Sequence, residues 1–325
     1  MRLSAFILIG VLWGASAQAA GLQLINVPAD SQGGMLAGAV WSPCAAPAQE
    51  MNLSEFLVQG AKDCSVAGSK LPLVVISHGR GGSFSGHHDT AAALADAGFV
   101  VVAINHPGDN TFDASRVDDL SIALSRPADV RRVIDFMLGA WPHASAIDGD
   151  RIGFFGFSRG GYTGLAVIGG HPDFARGAAR CAELAGLRAC EMFAKNAIPA
   201  QIITHDPRIK AAVLADPGFT FLFGPIDLKA VTVPVQLWSA ERGGGGVTPQ
   251  STAAVGQMLA ARPDYRLARN AGHFAFLAPC APELASAVPE ICRDAEGFDR
   301  VAFHREFNAE VLAFFRRHLA GSGTP

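Results

Sequence analysis

Among the segments of this chain that carry no charged or polar residue are three β-rich runs: Leu73-Val74-Val75-Ile76, Phe99-Val100-Val101-Val102-Ala103-Ile104 and Ile152-Gly153-Phe154-Phe155. A β-rich run with no polar alternation reads as a strand covered on both faces, and such strands belong to parallel sheets. Helical patterns lie between them. His88 to Ala97 is helix-competent and is stopped by Gly98. Pro127 to Leu138 sets Val130, Val133, Ile134 and Met137 on one stripe, with Arg131, Arg132 and Asp135 off it. Further strands are predicted at Leu22–Val27, Met35–Trp41, Ile209–Leu214, Val233–Trp238 and Tyr265–Ala268. Further helices are predicted at Gly160–Ile168, Pro249–Ala261 and Phe303–Leu319. This alternation predicts an α/β fold, a mostly parallel central sheet with helices on both faces. Residues 44–70 read as a polar, irregular excursion. The Ala/Arg-rich stretch 171–205 reads as a small helical insertion and a possible cap.

Half of the 325 residues are hydrophobic, enough for one large domain over residues 20–325. The net charge is −3 and there is no basic run, so nucleic acid is not a favoured partner. The N-terminus has Arg2, an apolar stretch from Leu3 to Gly14, and Ala17-Gln18-Ala19 as a small-x-small cleavage site. Residues 1–19 are therefore expected to be a signal peptide. The mature protein is expected to be exported, periplasmic or extracellular, with no stable membrane span after processing. In an oxidising compartment an even cysteine count favours disulfides. Sequence proximity suggests the pairs Cys44 with Cys64, Cys181 with Cys190, and Cys280 with Cys292. No Cys-x-x-Cys occurs, and His87, His88 and Asp89 are adjacent residues that point apart on a helix, so no metal site is expected. No pattern in the chain sets an oligomeric state.

The third apolar run leads into Gly156-Phe157-Ser158-Arg159-Gly160-Gly161, with a helix-competent segment after it. In this strand–turn–helix setting a serine becomes a nucleophile, and the tight elbow needs Gly156 and Gly160 on either side. Sites in parallel sheets form at the carboxyl ends of strands. The polar residues there are Ser77, His78, Asn105, His106, Asp109, Ser158, Asp216, Glu241 and His273. His273, in the small-residue loop Asn270-Ala271-Gly272-His273, is the candidate base for the serine proton. The orienting carboxylate is Asp216, with Glu241 as the alternative; either gives the chain order Ser, acid, His. Backbone N–H groups of Arg159 and Arg80 are the candidate oxyanion donors. Arg80 lies in the loop Ser77-His78-Gly79-Arg80-Gly81-Gly82, which His78 is expected to brace. Phe219, Phe221, Leu222 and Phe223 read equally as pocket lining or core. His304 and His318 read as solvated positions on the last helix.

From about residue 70 to 320 the chain resembles the α/β-hydrolase superfamily. Within it the likeness is to platelet-activating-factor acetylhydrolases and predicted dienelactone-hydrolase-type secreted esterases. The matching pieces are Ile76-Ser77-His78-Gly79-Arg80-Gly81, Val102-Ala103-Ile104-Asn105-His106-Pro107, Gly156-Phe157-Ser158-Arg159-Gly160-Gly161 and Gly272-His273-Phe274. The resemblance implies a serine hydrolase that cleaves small-molecule carboxylic esters, with short acyl chains, through an acyl-enzyme and without a cofactor. In acetylhydrolases of this type the acid follows the strand after the nucleophile helix, which matches Asp216. Related polyester-degrading hydrolases place an Asp beyond the next strand, where this chain has Arg242 with Glu241 beside it. Dienelactone hydrolases proper carry a Cys nucleophile, so their lactone chemistry does not carry over to Ser158. The alternatives are an amidase or peptidase with the same triad, and a non-catalytic binding module on this scaffold.

Overall fold

The uninterrupted apolar runs form the middle of one sheet. The structure, a computed structural model, describes residues 20–320 apart from 55, 182, 184–187, 198–202 and 204. The expected signal peptide, residues 1–19, lies outside the described residues. The strands are β1 (Gly21–Val27), β2 (Leu36–Ser42), β3 (Gln49–Leu53), β4 (Phe56–Lys62), β5 (Leu71–Ser77), β6 (Val100–Ile104), β7 (Ile147–Phe157), β8 (Ile209–Ala215), β9 (Val235–Ala240) and β10 (Asp264–Ala268). Their order across the sheet is β10-β9-β8-β7-β5-β6-β2-β1-β4-β3. From β10 to β6 every neighbouring pair is parallel, and β2 joins β6 antiparallel.

The helices are α1 (His88–Asp96), α2 (Ile122–Gly139), α3 (Arg159–Val167), α4 (Phe174–Cys181), α5 (Arg188–Lys195), α6 (Pro249–Met258), α7 (Pro282–Ala287), α8 (Pro289–Cys292) and α9 (Arg300–His318). Successive strand residues point to opposite faces. On β5, Leu73 and Val75 join the core beneath α2, α3 and α6, while Val74 and Ile76 join the core beneath α1 and α9. No helix among the described residues is long and apolar enough to cross a membrane.

Three expectations change. Residues 44–70 are not irregular throughout: β3 and β4 pair there as an antiparallel hairpin at the sheet edge. Phe56 and Val58 face inward, but the exposed Leu57 between them hides the alternation. Helix α2 begins at Ile122, so Pro127 sits inside it rather than at its start. A proline there cannot donate to the carbonyl four residues back. That carbonyl, Ala123 O, instead accepts from the Tyr162 hydroxyl of α3 at 3.0 Å. His304 is buried rather than solvated, and bridges the Asp89 carboxylate (2.6 Å) and the Ala275 carbonyl (2.8 Å).

The described cysteines form three disulfides, Cys44–Cys64, Cys181–Cys190 and Cys280–Cys292. The second ties α4 to α5 within the insertion, and the third closes the segment that carries α7 and α8.

Candidate active site

Ser158 sits where β7 turns into α3, with φ 54° and ψ −115°. A non-glycine residue costs energy in that region and stays there only when its surroundings enforce it. The surroundings are backbone. Ser158 N–H donates to Ala215 O (2.9 Å), and Ser158 O accepts from Gly218 N–H (2.7 Å). A Cβ on Gly160 would run into Ser77 O, and one on Gly156 into Gly160 O, so the elbow admits no side chain at either position.

Asp216 follows β8, next to β7 in the sheet, and is fully buried with φ 45°. Its Oδ1 accepts from Ala240 N–H at 2.9 Å, and Thr252 Oγ1 lies 3.4 Å away. Its Oδ2 lies 2.9 Å from His273 Nδ1, and His273 Nε2 lies 2.9 Å from Ser158 Oγ. With the carboxylate as acceptor, Nδ1 carries the hydrogen and Nε2 is free to receive the serine proton. Ser158, His273 and Asp216 are thus brought into one chain of hydrogen bonds.

Glu241 is not part of that chain. It is exposed, and its Oε2 accepts from Asn270 N–H at 2.6 Å. The side chain therefore holds the backbone of the loop that carries His273 and does not reach the ring.

Beneath the elbow lies a layer of buried charge. Burial alone would raise the Asp109 carboxyl, but the guanidinium groups of Arg126 and Arg159 hold it below the ordinary carboxylate value. Arg126 is fully buried and lowered by burial to about 10, so it stays a cation at neutral pH. Burial, with Arg126 beside it, lowers His78 to about 3 and keeps the imidazole neutral. Its Nδ1–H donates to Gly79 O at 2.7 Å, and its Nε2 accepts from His106 N–H at 3.3 Å.

Residues 83–182 match the model of the prolyl oligopeptidase family. No curated protein matches the chain. Among solved structures, a ferulic acid esterase from Streptomyces cinnamoneus aligns with a TM-score of 0.64 at 19% identity, over 96% of this chain and 93% of that one. The chain has the α/β-hydrolase fold. This fold is matched by 806 solved chains, so by itself it names no substrate.

In this α/β-hydrolase fold the carboxyl ends of the strands open into a cleft of about 740 Å³, with Ser158 and His273 in its lining. Arg80 and Arg159 line it too, and among the described residues neither backbone N–H is spent on another acceptor. The Arg80 side chain pairs with Asp118 at 2.7 Å. Phe219 and Phe221 reach the cleft, whereas Leu222 and Phe223 are core. His87 lies edge-on to Phe155 and Phe157, His88 packs on Phe56, and Asp89 turns to His304. Among the described residues no cluster of three or more His, Cys, Asp or Glu is placed to hold a metal.

Two parts of the site escape sequence reasoning. The first is the glycine run 243–246, which packs on the histidine. Gly243 O accepts from His273 N–H at 2.7 Å, and the Gly245 backbone lies against the imidazole. The signal was there, since four consecutive glycines after a strand imply a backbone approach that no Cβ allows. The second is the far wall of the cleft, made by Leu277, Leu284, Val288 and Ile291. Nothing in their spacing separates them from core residues.

Proposed function

We propose that the protein is a serine hydrolase of carboxylic esters. The observation that carries the reading is the chain Asp216–His273–Ser158, with 2.9 Å at each step, at the floor of a largely apolar cleft. In this reading Ser158 Oγ attacks the acyl carbon while His273 Nε2 takes its proton, and Asp216 holds the imidazolium that results. The N–H groups of Arg80 and Arg159 hold the oxyanion. His273 then protonates the departing alcohol, and water repeats the sequence to release the acid.

Phe219, Phe221, Leu284, Val288 and Ile291 give the cleft an apolar wall, and its volume is in the range that encloses a drug-sized group. We propose that it takes an apolar acyl or alcohol group larger than the short acyl chain the family resemblance implies. An ester of ferulic acid, the compound in the neighbour's name, is one such substrate. The insertion over 171–205 is proposed as a cap, because Met192 of α5 lines the cleft from that side. Export with removal of residues 1–19 is proposed on the N-terminal pattern and fits the three disulfides.

The prolyl oligopeptidase match favours a second reading, cleavage of amides with the same triad. The experiment is fluorophosphonate labelling of the native protein and of Ser158→Ala. Hydrolysis is then measured for p-nitrophenyl acetate to decanoate, a ferulate ester, and p-nitroanilides of matched acyl groups. Labelling lost in the variant, with esters turned over and anilides not, supports the proposal. Faster anilide hydrolysis moves the assignment to the second reading, and no labelling of folded protein overturns both.

A further inference from the structure

Asp109 makes no hydrogen bond to Ser158 or His273, yet it joins the loop that carries Arg80 to the first residue of α3, Arg159, the two candidate oxyanion donors. It is fully buried in the loop after β6. Its Oδ1 accepts from Gly81 N–H at 2.9 Å. Its Oδ2 accepts from Arg126 Nη1 and from Arg159 Nη1, each at 2.7 Å.

Each of these bonds bears on a donor. The Arg80 N–H and the Gly79 carbonyl belong to one trans peptide, so the two point in opposite directions. Gly79 O is held by His78 Nδ1–H (2.7 Å) and Gly82 N–H (3.2 Å). The peptides on both sides are also held, the one before by Arg126 on His78 O and the one after by Asp109 on Gly81 N–H. On the second donor, the Asp109–Arg159 pair and a 2.9 Å bond from Arg159 Nη1 to Val117 O fix the side chain of the residue that follows the nucleophile.

We infer that Asp109 is a positioning residue that sets both oxyanion donors, through Gly81 and Arg126 on one side and through Arg159 on the other. The inference rests on the ester-hydrolase reading. Asp109 touches no reacting atom, and its effect is on geometry that matters most when the acyl oxygen carries charge.

The test is Asp109→Asn, with Asp109→Asn/Arg159→Gln as its companion, since the double variant restores the net charge of the buried group. Two inhibition constants are measured, for an alkylboronic acid that forms a tetrahedral adduct on the serine and for an uncharged amide of the same chain length. The boronate constant is expected to rise about 10- to 100-fold in both variants, in step with the fall in kcat, while the amide constant and KM stay within about threefold. An inhibition constant reports the folded fraction alone, so partial misfolding does not imitate this result. A boronate constant that is unchanged in the folded fraction of either variant overturns the inference. Ester turnover that survives in Ser158→Ala overturns the underlying reading instead.

Discussion

The glycine run beside the histidine gives a sharp test of how far the site depends on backbone packing. Gly245 has φ 57°, and a Cβ there would lie 2.6 Å from His273 Cδ2 and 3.1 Å from Nε2. Ordinary contact begins near 3.4 Å, so in Gly245→Ala the ring must retreat by about 0.8 Å. It has little room, because it lies on Phe157 with ring centroids 4.7 Å apart and is tied to Asp216 and Ser158 at 2.9 Å on either side. One of those bonds must lengthen past useful geometry. A misplacement of about 1 Å can cost about 100-fold in rate, so kcat on a p-nitrophenyl ester is expected to fall about 10- to 100-fold. The left-handed backbone adds roughly 1 kcal/mol of strain in the same variant. Gly297→Ala is the control. Its φ is 77°, and a Cβ there meets nothing within 4 Å, so it carries the strain without touching the ring. Steady-state kinetics and thermal unfolding of both variants check the prediction. If Gly245→Ala unfolds like Gly297→Ala and keeps the same kcat, the packing argument is wrong.

Further expectations concern the acid, the cleft wall and acid stability. Asp216→Asn should lower kcat about 1,000-fold or more, because the amide no longer fixes the histidine tautomer. Glu241→Gln should stay within a few-fold, because its carbonyl still accepts from Asn270 N–H; the reverse order would reassign the acid. Ile291→Ala should shift the preferred p-nitrophenyl ester toward longer chains with a largely unchanged rate on acetate, and an unaltered chain-length profile would remove this wall from the substrate site. Burial lowers His78 to about 3, His87 to about 4 and His106 well below 6.5, so their contribution to stability is full above about pH 6.5 and is lost as the pH falls. Asp129, raised by burial to about 7, opposes them, but the histidines outnumber it, so unfolding takes up protons on balance and stability falls as the pH drops from about 6.5 to 5. Urea melts between pH 7 and 5 that show a flat stability would refute this.

The centre of the sheet was legible because its strands are buried on both faces, which leaves a run of apolar residues that few other structures produce. The edge was not. The β3–β4 hairpin is half exposed, and the exposed Leu57 breaks the alternation that would mark it. Pro127 misplaced the start of α2 because the sequence cannot show that Tyr162 satisfies the carbonyl which the proline leaves open. Ser158, His273 and Asp216 were legible as chemistry at strand ends. The charged layer under them was hidden for the opposite reason: Arg132 reads as part of the polar side of an amphipathic helix, Arg126 lies just before the predicted start of that helix, and only the fold brings them against other charges.

Asp216 and Glu241 could not be separated by chain order because they end adjacent strands, β8 and β9, only about 5 Å apart in the sheet. The path of one loop separates them. Glu241 takes the Asn270 N–H (2.6 Å), Gly243 O takes the His273 N–H (2.7 Å), His304 reaches Ala275 O (2.8 Å) from α9, and Gly86 O takes the Ala278 N–H (3.0 Å). These anchors fix the backbone on both sides of His273 and turn its ring back toward β8 and Asp216. The two carboxylates therefore act on the same loop at different points, one on the backbone and one on the ring. A histidine held in this way has little freedom left to lose when a substrate arrives, which is the condition under which a proton acceptor is most effective.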